Sequence, residues 1–183
     1  RYAAGERDFS GVDLSAVYDL EGDDFSGINL SGANLSGAYW WSAILTDANF
    51  SGANLEGADF QGSELEGANF RGANLKNAHL PVDFSRADLT GADLSGAILH
   101  VTAFSKAILI GANFSNADLF QAIFEDADLT GANLNGAFLG ETSFKNANLT
   151  NVNLLGAEGL EPSRFKGAIF CNTILPDGSI RND

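Results

Sequence analysis

Ala48 through Asn77 read ANFSG ANLEG ADFQG SELEG ANFRG ANLKN, six five-residue units built on one pattern. A small residue, usually Ala, precedes Asn, Asp or Glu; then come Leu or Phe, one variable residue, and usually Gly. A period of five matches neither the 3.6 of a helix nor the 2 of a strand, so both regular elements are excluded. The recurring Gly, Asn and Asp are turn formers. Five-residue units that each turn one corner complete a square after four, which makes twenty residues per coil. The predicted fold is therefore all-β: a quadrilateral parallel β-helix. Its Leu or Phe centres, and the small residue two positions earlier, point inward, and the remaining three positions of each unit face solvent.

Working outward, a Leu, Phe or Trp falls at every fifth position from Phe25 to Leu80, and again from Phe84 to Leu154. Leu160, Phe165, Phe170 and Leu175 continue the series. About eight coils at the strand spacing give a rod roughly 40 Å long. The twenty-residue period can be tested directly. Phe84, Phe104, Phe124, Phe144 and, after a one-residue insertion, Phe165 share one face, and Leu89, Leu109, Leu129 and Leu149 share the next. Rings stacked on rings are what a square coil predicts.

The whole chain, 1–183, reads as one domain. Residues 1–24 form an N-terminal cap and first coil, 25–80 and 84–154 the regular coils, and 155–183 the last coil and C-terminal cap. Register breaks occur between Leu14 and Leu20, between Leu80 and Phe84, and between Leu154 and Leu160. The outer two suit the caps that a solenoid needs against edge pairing. Pro81, which has no backbone donor, marks the middle one as a bulge or slight bend.

This A(D/N)LXX pattern resembles the pentapeptide-repeat family over nearly the whole chain. The resemblance implies a right-handed quadrilateral solenoid. The opening Tyr2-Ala3-Ala4-Gly5-Glu6-Arg7-Asp8-Phe9 and the closing Ile174-Leu175-Pro176-Asp177-Gly178-Ser179-Ile180 are similar to the ends of cyanobacterial members. One of those members regulates heterocyst differentiation, and its role is a protein–protein one. A cyanobacterial, cytoplasmic setting follows from the resemblance alone. The chain starts at Arg1, not Met, which implies removal of an upstream segment and leaves a signal peptide open.

No catalytic constellation emerges. Asp59, Asp88, Asp93, Asp118 and Asp128 occupy the slot before a centre, which elsewhere holds Asn34, Asn54, Asn74, Asn113 and Asn133. A position that accepts a group unable to titrate is a turn support, not an acid–base site. His79 and His100 share a face one coil apart, placed diagonally and without a third ligand, so no metal is expected. Cys171 points outward beside no activating base. The serines lack a triad arrangement and the glycines form no phosphate loop. The chain is read as a non-enzyme without cofactors.

The formal charge of −14 argues against nucleic acid as a ligand, because phosphate binding needs clustered Lys and Arg. No run approaches the apolar length of a membrane span. The expected partner is a protein. Outward slots are normally polar, so large apolar residues there are informative. The face centred on Leu20, Trp40, Phe60, Leu80, Leu99, Leu119 and Leu139 carries Tyr39, Trp41, His79, Ile98, His100, Phe120 and Phe138 outward, interrupted by Asp59, Gln61 and Asp118. These seven form the candidate partner-binding face, since aromatics are enriched at interface centres. With Glu21, the two Asp residues suit a partner with an apolar stripe and basic edges.

Two other readings stand beside it. The resemblance implies a DNA mimic that binds DNA gyrase, since some members match duplex DNA in size and shape. Duplex DNA, however, carries about 24 charges over 40 Å, whereas 14 net charges here are spread over four faces. The other reading is a passive rod, or a homodimer joined through Phe165, Ile169, Phe170 and Ile174 of the last coil. Pro162 and the Pro176-Asp177-Gly178 turn would instead close that end.

Overall fold

Backbone pairing in the computed structural model, which describes residues 5–15, 22–80 and 83–183, is dominated by isolated parallel bridges between residues one coil apart. The bridges form four ladders. The first side runs from Asp8 through Asn29 and Asp88 to Ile169, and the second from Asp13 through Asn34 and Asp93 to Ile174. The third runs Tyr39, Asp59, His79, Ile98, Asp118, Phe138, Glu158, and the fourth from Asp24 through Asp83 to Ser143. Every rung but Glu158 is the residue just before an apolar centre, as the period of twenty requires.

One unit shows why this sequence coils. The Phe104 amide donates 2.7 Å to the Ile123 carbonyl of the next coil, and the Ile123 amide donates back to Thr102, 2.9 Å away. Two residues after the centre, Lys106 takes φ 61°. The Ala107 amide then closes onto the Phe104 carbonyl at 3.0 Å. That is a β-turn with a left-handed third residue, which favours Gly or Asn at this slot. The fifth position of the repeat is thus the corner, and its Gly preference is a backbone requirement.

The core is a stack of columns. Phe84, Phe104, Phe124, Phe144 and Phe165 lie parallel, with centroids 5.3, 4.8, 5.2 and 5.2 Å apart and planes within 5°. Trp40 stacks on Phe60 in another column. Ala fills most small slots because a larger side chain would meet the centres of the neighbouring sides. Where the slot holds a hydroxyl it is buried and satisfied: Thr102 donates 2.7 Å to the Leu80 carbonyl and Thr142 donates 2.8 Å to that of Leu119. Ser63 likewise donates to the Trp40 carbonyl.

The ladders locate the register breaks. Asp13 pairs with Asn34 but Asp24 with Ile44, so the first extra residue lies between them. Glu64 pairs with Asp83, one residue short, directly after the third side. Leu20, Glu21 and Pro81 lie outside the described residues. The last insertion falls later than the apolar spacing suggests. Glu158 still pairs in register with Phe138, whereas Ile169 pairs with Asn148 twenty-one residues back. Gly159 follows Glu158 where a centre belongs, and a 3-10 turn over Pro162–Phe165 restores the phase.

At the C-terminal end the chain folds back. Strand β1 (Thr173–Ile174) pairs antiparallel with β2 (Ile180–Arg181). The Phe170 amide donates 2.8 Å to the Asp183 carbonyl, and the Arg181 guanidinium sits 3.7 Å above the Phe170 ring. The hairpin therefore lies against the last coil at Phe170.

A candidate interaction face

The commonest polar feature of the surface is structural. Each Asn or Asp on a rung accepts the amide two residues on, as in Asn135 N to Asn133 Oδ1 at 3.1 Å. An Asn on the rung also donates to the coil before it. Asn153 bonds Asn133 and Asn133 bonds Asn113, both at 3.2 Å. The first bond needs only an acceptor, which is why Asp and Asn exchange; the second needs the amide. Burial pushes the carboxyls of Asp88 and Asp93 up, but hydrogen bonds outweigh it and both lie below their ordinary value. The donors are Thr90 and Arg71 for Asp88, and Ser95 and Lys76 for Asp93. Such carboxylates are committed to turns and ladders. Among the described residues no three His, Cys, Asp or Glu side chains gather where they could hold a metal. No described helix is long and apolar enough to cross a membrane.

The third side breaks this polar pattern. Tyr39, Trp41, Ile98, His100 and Phe138 are exposed there, the last at 42 %. His79 and Phe120 also face outward but are half-buried. The reason for Phe120 is Gly140, one coil on. A β-carbon at Gly140 would lie 3.1 Å from the Phe120 ring and 2.8 Å from that of Phe138, so the two rings settle over bare backbone. Their centroids are 6.2 Å apart and their planes within 16°. His100 meets Phe120 edge-on at 6.2 Å, and Tyr39 meets Trp41 edge-on at 5.8 Å. The rings thus form two clusters, Tyr39 with Trp41 and His100 with Phe120 and Phe138, and Asp59, His79 and Ile98 lie on the ladder between them.

Asp59 and Asp118, read from the sequence as interruptions, are partners of the histidines. His79 Nδ1 lies 3.2 Å from Asp59 Oδ1, which also accepts the Gln61 amide. His100 Nε2 lies 2.7 Å from Asp118 Oδ2, while Asp118 Oδ1 accepts the Phe120 amide. The histidines are therefore tied to separate carboxylates. Glu21, expected to flank the strip, lies outside the described residues.

Sequence reasoning missed how many irregularities gather here. All three register breaks border or follow the third side. The corners leaving the first side are Gly from Gly11 to Gly131, whereas those leaving the third include Ser42, Val101, Gln121 and Glu141, and those leaving the fourth include Asp47, Arg86, Lys106, Asp126 and Asn146, all in left-handed geometry. Val101, with φ 60°, is β-branched, and such residues avoid this region. The buried Ser63, Thr102 and Thr142 hydroxyls cap carbonyls of third-side centres, and the buried Thr173 hydroxyl caps that of Leu149 on the first. The buried Trp40 indole N–H has no acceptor among the described residues. The signal was available: a hydroxyl in the Ala slot, or a β-branched residue in the Gly slot, marks departure from the repeat.

A family model for pentapeptide repeats matches residues 24–62, 48–81, 83–121, 102–136 and 127–158, which together take in most of the chain. No curated protein matches it in sequence. Among solved structures it is similar to QnrB1, a plasmid-mediated fluoroquinolone resistance protein. The two are 23% identical over 88% of this chain and 87% of that one, with a TM-score of 0.64. It is 27% identical to HetL, involved in heterocyst differentiation regulation in the cyanobacterium Nostoc, over 98% and 96% of the chains, with a TM-score of 0.29. A pentapeptide repeat protein from the Arabidopsis thaliana thylakoid lumen is 32% identical over 79% and 72%, with a TM-score of 0.24. The matched repeats and the QnrB1 likeness identify the coil as a right-handed β-helix.

Proposed function

This chain belongs to the pentapeptide-repeat family, and on that footing we propose that it is a non-enzymatic scaffold that binds a partner protein along its third side. We read it as one rod of about eight coils at the strand spacing. One observation carries the reading: among the described residues the exposed aromatic rings Tyr39, Trp41 and Phe138 all fall on the third side. In a solenoid the repeat itself secures folding, so a side whose outward slots hold large rings where the repeat favours polar residues is under a second demand. Exposed rings in rows supply that demand, because large aromatics in a contiguous patch are the usual energetic centres of an interface.

The strip from Trp41 to Phe138 covers five coil steps, roughly 24 Å at the strand spacing. A partner helix of about four turns fits along it. The test replaces Trp41 and Phe120 with Ser in one variant. Proteins captured from native extract should be lost while the thermal midpoint stays within a few degrees of wild type. Unchanged capture, or capture lost together with folding, refutes the face as the binding site.

A further inference from the structure

The geometry points to docking on the third side that is controlled by pH: a cationic amphipathic segment is held at neutral pH and released on acidification. This rests on the third side being the binding face, and adds the partner's chemistry and its regulation. The chain has two histidines, and both stand within the aromatic strip. Histidine is the side chain whose ordinary charge change falls between about pH 5 and 8. Moderate acidification therefore changes charge on this side and leaves the carboxylates of the other three ionised, since their ordinary range lies near pH 4.

The surroundings of each histidine are specific. Beside His79, the neighbouring rungs offer Asp59 and Gln61 on one side and Ile98 and His100 on the other. Beside His100 stand Asp118, Phe120 and Gln121 on one side and His79 on the other. On the adjoining second side Lys76 is paired with Asp93 at 3.3 Å, so its charge is already engaged. Among the described residues the other acids of this side are Glu158 on its ladder and Glu141 at its corner, the latter bonded by Gln121 at 2.8 Å.

At neutral pH the strip presents carboxylates between aromatic rings. A complementary segment places Lys or Arg against Asp59 and Asp118, and apolar side chains against Trp41, Phe120 and Phe138. Cations also lie well over such rings. When His79 and His100 gain protons, each becomes the in-chain counter-ion of its own Asp, and the strip turns more positive by two charges. A cationic partner then loses its counter-ions to intramolecular competitors. The sign is fixed: affinity for a basic segment falls as pH falls. Two exposed charge pairs are worth roughly a two- to thirty-fold change in Kd.

The probe is a fluorescein-labelled Leu/Lys amphipathic helix of about 18 residues, with a Leu/Glu helix of the same length as control. Anisotropy is read at pH 7.5 and pH 5.5 for the full chain, for Trp41→Ser/Phe120→Ser and for His79→Gln/His100→Gln. The Leu/Lys helix should bind wild type at pH 7.5 and weaken several-fold at pH 5.5, and the Leu/Glu helix should bind at neither pH. The Gln variant should bind at pH 7.5 and lose its pH response. The Ser variant, with net charge unchanged, should lose binding at both pH values. Binding retained by the Ser variant sinks the face itself. Loss in the Ser variant without a pH response in wild type, or with the same response in the Gln variant, sinks only the switch.

Discussion

At the scale of single residues the fold rests on two unequal demands, burial at the centre and turn geometry at the corner. Phe124 is fully buried between Phe104 and Phe144. Phe124→Ala should cost about 3–5 kcal/mol in a urea melt, because parallel rings on both sides cannot close the gap. Asn133 would pass for a surface residue, yet it accepts from Asn135 and Asn153 and donates to Asn113. Asn133→Ala should cost about 1–2 kcal/mol, less than the Phe but not nothing. The corners separate further. Gly111 and Gly96 both have positive φ, +66° and +68°. A β-carbon at Gly111 meets open space, but at Gly96 it meets Asn77 Oδ1 of the previous coil at 2.5 Å. Gly96→Ala should be the more destabilising of the two, and Asn77→Gly should recover the difference in a double-mutant melt.

Ladders and caps set the next scale. Hydrogen bonds from their own coils and from Arg71 and Lys76 outweigh burial and hold the carboxyls of Asp88 and Asp93 below their ordinary value. A depressed carboxyl contributes stability that is whole above its unfolded value and is lost as pH falls through the folded one. The thermal midpoint should therefore hold from neutral pH to about pH 5 and drop below about pH 4. Asp88→Asn/Asp93→Asn should flatten that drop; an equally steep fall would assign it to other carboxylates. The C-terminal hairpin is a cap in the same energetic sense. It places Arg181 over Phe170 and supplies the Asp183 carbonyl to a free amide of the last coil. Removing residues 177–183 should lower the melting point and make apparent mass rise with concentration in sedimentation, since an open coil edge templates pairing.

For the whole molecule the question is how a rod with a repetitive core acquires a particular surface. Its net charge does not imitate a nucleic-acid duplex. Arg71, Lys76, Arg86 and Lys145 sit within ion pairs on the coils, and the third side carries exposed aromatic rings. Added to a supercoiling assay, the protein should leave DNA gyrase active, whereas inhibition at stoichiometric amounts would favour mimicry. The Trp41→Ser/Phe120→Ser variant should fold as wild type, because neither ring belongs to the buried columns.

The sequence by itself determined the coil. A period of five, with obligate small, apolar and turn residues, has one low-energy outcome when each unit needs its neighbour to bury its centre, so Phe84 to Phe165 could be stacked on paper. It also sorted Tyr39 to Phe138 onto one side, since position modulo twenty fixes direction. Only the tertiary structure decided what those side chains do there. That Asp59 and Asp118 belong to His79 and His100 depends on contacts between rungs, not along the chain. The half-burial of Phe120 depends on Gly140, a coil away, lacking a side chain. The repeat specifies the backbone because each unit's hydrogen bonds are the same. The surface escapes it, because outward side chains meet neighbours twenty residues away, whose identities the repeat leaves free.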